Sequence, residues 1–96
     1  MICVTFGPVP MTRAQYHAIG ERIPEPPDGR DYHVCSGEDG ALYVMEVWSS
    51  DEDLDRHNEA LAEVLADVLE APMGLNRTTR PVVGIHRPGE SVVTFE

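Results

Sequence analysis

The stretch from Ala41 to Leu69 constrains the fold most, because it joins a strand to a helix with almost nothing between them. Ala41 to Trp48 carries Leu42, Tyr43, Val44, Met45 and Val47, an aromatic and β-branched run that predicts a strand buried on both faces. Ser49 and Ser50 follow with hydroxyls able to accept the free amides of a first helical turn, and Glu52 and Asp53 stand near that turn's positive end. Ser49 and Glu52 have the spacing of a capping box. Beyond them Leu54, His57, Leu61, Val64 and Val68 advance by threes and fours, with Leu65 and Leu69 beside them and acids mostly elsewhere. The pattern predicts an amphipathic helix of about five turns, stopped by Pro72 and Gly74. A strand feeding such a helix must lay its apolar stripe on a sheet.

The rest of the chain supplies that sheet. Ile2 to Phe6 alternates as a strand and is closed by Gly7-Pro8-Val9-Pro10. Thr12 with Gln15 reads as an N-cap, and Tyr16, Ile19 and Ile23 as the buried stripe of a first helix, with His17 facing solvent. Pro24 to Gly29 is a stiff connector. Asp31 to Ser36 and Ala41 to Trp48 flank Gly37-Glu38-Asp39-Gly40 as a hairpin. An even-length loop pairs Ser36 with Ala41, Val34 with Tyr43 and Tyr32 with Met45 on one face, and Cys35 with Leu42, His33 with Val44 and Asp31 with Glu46 on the other. The first face is the cleaner hydrophobic one. Arg80 to Arg87 reads as a further strand, and Ser91 to Phe95 as a short last one, a candidate for pairing with a partner subunit.

The order strand, helix, strand, strand, helix, strand predicts an α+β, ferredoxin-like βαββαβ domain spanning residues 1–96, with two helices on one face of an antiparallel sheet. The other face is then expected to expose Cys3, Thr5, His33, Cys35, Val44, Glu46, Trp48 and His86, and to be buried by a second sheet. Cys3 and Cys35, on strands separated by another strand, are about 10 Å apart and predict two free thiols.

Charge narrows the partners. A net charge of −10, with seven Arg and no Lys, argues against a phosphate backbone as partner. No apolar run reaches the roughly 18 residues of a membrane span, and the first residues lack the form of a signal peptide, so the expectation is a cytoplasmic protein.

Glu46-x-Trp48, the acidic Ser-Asp-Glu-Asp turn at residues 50–53 and His57, set in this element order, resemble the dimeric α+β barrel superfamily, specifically its small antibiotic-biosynthesis-monooxygenase-like proteins. The resemblance implies a homodimer whose two sheets form a barrel, with a cavity in each protomer between sheet and helices. It implies catalysis without a cofactor by a monooxygenase, an isomerase or a polyketide cyclase, on a small apolar or aromatic molecule. The haem-degrading members carry an Asn near the start of the first strand and a His far down the second helix; neither is present here. In the catalytic version His57 or Glu46 moves a proton and Trp48 stacks on the substrate, with His33, Cys35, Val44 and His86 lining the site.

Each of these residues has a plainer reading. Trp48 is also the largest core plug, and His57 also a neutral core histidine. Glu46, costly to bury alone, is either paired with Arg80 or Arg87 or a raised-pKa acid in a cavity. His33, Cys35, Cys3 and His86 are zinc-ligand types, but His33-x-Cys35 matches no metal motif. The alternative for the whole chain is a non-catalytic interaction module, in which the barrel only assembles and side chains fill the cavity.

Overall fold

A computed structural model of the protein describes residues 1–23, 25–69 and 76–95; Pro24, the helix stops expected at Pro72 and Gly74, and residue 96 lie outside them. The elements are β1 (Ile2–Val9), α1 (Arg13–Arg22), β2 (Arg30–Glu38), β3 (Ala41–Trp48), α2 (Asp51–Leu69), β4 (Arg77–Pro81), β5 (Gly84–Ile85) and β6 (Val93–Thr94). Strands β1 to β4 form one sheet in the order β2-β3-β1-β4, each neighbouring pair antiparallel. The core joins Val4, Phe6, Leu42 and Trp48 of the sheet to Ile19 of α1 and Leu54 and Val64 of α2, so both helices cover one face. The architecture is α+β and compatible with a ferredoxin-like fold.

Helix starts follow from local chemistry. Thr12 caps α1 through a complete capping box with Gln15, as the sequence predicts. The cap of α2 is Ser50 rather than Ser49: its hydroxyl accepts from the Asp53 amide at 3.2 Å. Ser49 is instead tied to the Gly29 carbonyl by its amide at 2.8 Å and its hydroxyl at 3.1 Å. It closes the end of the sheet against the preceding loop, and the helix starts one residue later. Ser50→Ala should cost about 1 kcal/mol, a fall of roughly 4–8 °C in Tm by thermal denaturation. If instead Ser49→Ala lowers Tm and Ser50→Ala does not, Ser49 is the cap after all.

The hairpin loop is the two-residue Asp39-Gly40, with Gly40 at φ +87° and Glu38 opposite Ala41. Ser36 therefore meets Tyr43, Val34 meets Met45, and His33 meets Glu46, a shift of two residues from the expected pairs. An even shift leaves the sharing of faces unchanged. What the structure reverses is which face is covered. Leu42, Glu46 and Trp48 are 2%, 5% and 0% exposed beneath the helices, whereas Val34, Tyr43 and Met45 are 48%, 51% and 41% exposed. Cys3 and Thr5 lie on the open face as expected, opposite Val47 and Met45; His33, Cys35, Val44, Glu46 and Trp48 do not. Cys3 and Cys35 are free thiols on opposite faces.

The strand expected at Arg80 to Arg87 is split. Arg77–Pro81 pairs with β1, and Gly84–Ile85 pairs with β6 in a separate two-stranded ribbon. Pro81 has no amide to continue the ladder, and the Val82 amide turns back to the Met1 carbonyl at 3.1 Å. The last strand thus finds its partner within its own chain.

Candidate functional site

Between the two helices and the covered face of the sheet lies a cavity of about 630 Å³. Phe6 and Val44 line it from the sheet, Ile19 and Ile23 from α1 and its end, and Leu61 and Leu65 from α2. Its polar lining comprises Tyr16, Arg30, His33, Glu46 and His57, together with His17 and Glu21 of α1 and Asn58 of α2.

A bulge assembles that wall. Arg30 stands opposite Trp48 and Tyr32 opposite Val47, so Asp31 is an extra residue in β2. Strict alternation would send Arg30 and His33 to opposite faces; the bulge turns both onto Glu46. The Glu46 carboxylate accepts from His33 Nδ1 at 2.5 Å and Arg30 Nη1 at 3.1 Å through Oε2, and from Trp48 Nε1 at 3.1 Å through Oε1. Tyr16 Oη lies 2.5 Å from His33 Nε2. An ionised carboxylate can only accept, so Nδ1 carries a proton and donates to Glu46; when the ring is neutral, Nε2 is the acceptor of the tyrosine hydroxyl. Tyr16, His33 and Glu46 form one hydrogen-bonded chain from the cavity into the sheet.

Burial alone pushes the Glu46 pKa up, but the hydrogen bonds from His33 and Trp48 and the positive charge of Arg30 more than offset it and hold the group below its ordinary value. The raised-pKa acid considered from sequence is thus corrected: Glu46 is a carboxylate. Burial, followed by the proximity of Cys35, raises the Tyr16 phenol and keeps it protonated. Burial lowers the His57 pKa and favours its neutral ring, against the opposing pull of Glu46.

Of the residues singled out from sequence, Glu46, His33, Val44 and His57 meet at the cavity. Trp48 does not line it. Fully buried, it packs with Leu54 in the core, sets its ring centroid 5.3 Å from that of His57 and donates to Glu46, so it supports the wall from behind. Cys35 borders a separate hollow of about 130 Å³ with Ser36 and Leu42, and burial raises its thiol pKa. His86 is exposed next to β5 and away from the cavity lining. Glu46 pairs with Arg30, not with Arg80 or Arg87; Arg87 instead bonds Asp31 and lies over the Tyr32 ring. Among the described residues, no group of three His, Cys, Asp or Glu side chains lies close enough to hold a metal ion.

Sequence reasoning missed Tyr16 and Arg30 as site residues. Tyr16 sat in a buried stripe, where its hydroxyl must find a partner, and that requirement is a signal for a polar neighbour. Arg30 carried none, because its orientation depends on the bulge.

Fold and site together define a small α+β domain with an apolar cavity roofed by helices and a Tyr-His-Glu chain in its wall. No protein-family model, curated protein or solved structure matches the chain.

Proposed function

We propose that the protein binds a small, largely apolar or aromatic molecule in this cavity and moves a proton at its polar wall. The observation that carries the reading is the junction of an apolar, unfilled cavity with the Tyr16-His33-Glu46 chain. A neutral histidine oriented by a carboxylate is a general base, and the tyrosine hydroxyl relays its action into the cavity. Proton abstraction is the step that a cofactor-independent oxygenase, an isomerase and a cyclase have in common, so the site fits the antibiotic-biosynthesis-monooxygenase-like chemistry suggested by the sequence. The unfilled cavity favours this reading over a module that only assembles.

The same proposal includes a homodimer. The open sheet face presents Val34, Tyr43 and Met45 to solvent, and a second copy placed against it would complete an α+β barrel. Native mass spectrometry of freshly purified protein tests both parts at once. The expected result is a dimer that carries extra mass or takes up an added aromatic compound stoichiometrically. A bare monomer that takes up no aromatic compound on titration would overturn the proposal.

A further inference from the structure

We infer that Gly20 determines the length of ligand that the cavity accepts, and that the ligand is an elongated apolar molecule whose far end leaves the cavity over this residue. The inference rests on the binding reading above and adds where the ligand ends. Gly20 lies inside α1, Arg13–Arg22, where glycine is the least favourable residue after proline. Neither usual reason for a glycine applies there. Its backbone is helical, unlike that of Gly7, Gly29, Gly37, Gly40 and Gly89, whose φ is positive. Nothing crowds it either: a Cβ at this position would have no neighbour within 4 Å beyond its own stretch of helix.

Its place on α1 supplies a reason. Tyr16, Ile19 and Ile23 all line the cavity, and Gly20, four residues after Tyr16 and three before Ile23, belongs to the same inward stripe. Gly20 also lines the cavity, yet it is open to solvent, as are His17 and Glu21 next to it. A residue that belongs to the lining and meets water marks the rim. A larger side chain there would continue the wall; glycine leaves a slot one side chain wide. The lining that it interrupts is apolar, with Ile19 and Ile23 on one side and Leu61 and Leu65 of α2 on the other, so what passes through is apolar too. The volume agrees. A cavity of about 150 Å³ takes up benzene, whereas this one holds about 630 Å³. A single ring beside Tyr16 and Glu46 would leave most of it empty.

The test compares 4-methylbenzyl alcohol with 4-hexylbenzyl alcohol, neutral rings that differ only in chain length, by equilibrium dialysis against the intact protein. Gly20→Ala and Gly20→Leu are measured beside Ala14→Leu, which adds the same side chain at an exposed position of α1 outside the cavity lining. The parent should bind the hexyl compound about a hundredfold more tightly, from the burial of roughly three further methylenes at about fourfold each. Gly20→Leu should bind the methyl compound as the parent does and lose about tenfold or more on the hexyl compound. Gly20→Ala should lose less, and Ala14→Leu should change neither. Thermal denaturation separates this from damage to the fold: Gly20→Ala should melt about 4 °C above the parent, because the helix gains a better former and nothing is displaced. A parent without preference for the hexyl compound, a preference that survives Gly20→Leu, an equal loss for both compounds, or a lower Tm in Gly20→Ala would overturn the inference and leave the cavity reading standing. Failure of both compounds to bind the parent would overturn the cavity reading and this inference with it.

Discussion

Replacing Glu46 with Ala is expected to cost about 3–5 kcal/mol, a large share of the roughly 5–15 kcal/mol that holds a domain of this size together. The carboxylate is 5% exposed and accepts from three donors, of which Arg30 is a permanent charge with a side chain only 19% exposed. Without it that charge and two N–H groups are stranded. Urea denaturation reads the loss as a lower midpoint. Glu46→Gln keeps the volume but offers one acceptor oxygen where there were two, and should lose less. The acid side follows from the lowered pKa of Glu46. Its carboxylate contributes stability that is fully present above the unfolded glutamate value of about 4.3 and lost as pH falls through the lower folded value. The parent should therefore lose stability more steeply than Glu46→Gln below about pH 4.3. A midpoint in Glu46→Ala equal to that of the parent would mean that the buried pair contributes nothing.

Trp48→Ala is the second large effect, at about 3–5 kcal/mol. Trp48 is wholly buried with Leu54 and Val4, and truncation leaves a void at the junction of β3 and α2. It also removes the donor on Glu46 Oε1. Trp48→Phe separates the two contributions: the ring volume is largely kept, and the loss of a hydrogen bond to a charged group costs about 1.5–3 kcal/mol. Circular dichroism during thermal melts measures both variants. If Trp48→Phe equals the parent, the indole N–H does not help to fix the carboxylate. Because Glu46 and Trp48 hold up the fold as well as the site, function is better interrogated at Tyr16, where Phe removes one hydroxyl and little packing.

Most of the architecture was legible where one local rule decided it. Thr12 with Gln15 announced α1, and the spacing from Leu54 to Val68 announced α2 and its inward face. The apolar run from Ala41 announced the strand between them. The coverage of the sheet was misread because alternation says which residues share a face and is silent on which face meets the helices. Tyr32, Val34, Tyr43 and Met45 looked like the core by composition, whereas the helices cover the face that carries Leu42, Trp48 and the Glu46 cluster. The site was half legible. His57 and Glu46 stood out as polar residues in apolar settings. Tyr16 and Arg30 became visible only with the tertiary structure, one through a partner seventeen residues away and the other through an irregular strand.

That irregularity fixes the sign of the charge beside the buried carboxylate. In a regular strand Asp31 would occupy the place opposite Trp48 that Arg30 now holds, and the cavity would hold two acids side by side in place of an acid and a base. Arg87, bonded to Asp31 and lying over Tyr32, secures the displaced acid on the outside. The Arg87 clasp thus stands across the sheet from the cavity, on the residue that a regular strand would have set beside Glu46.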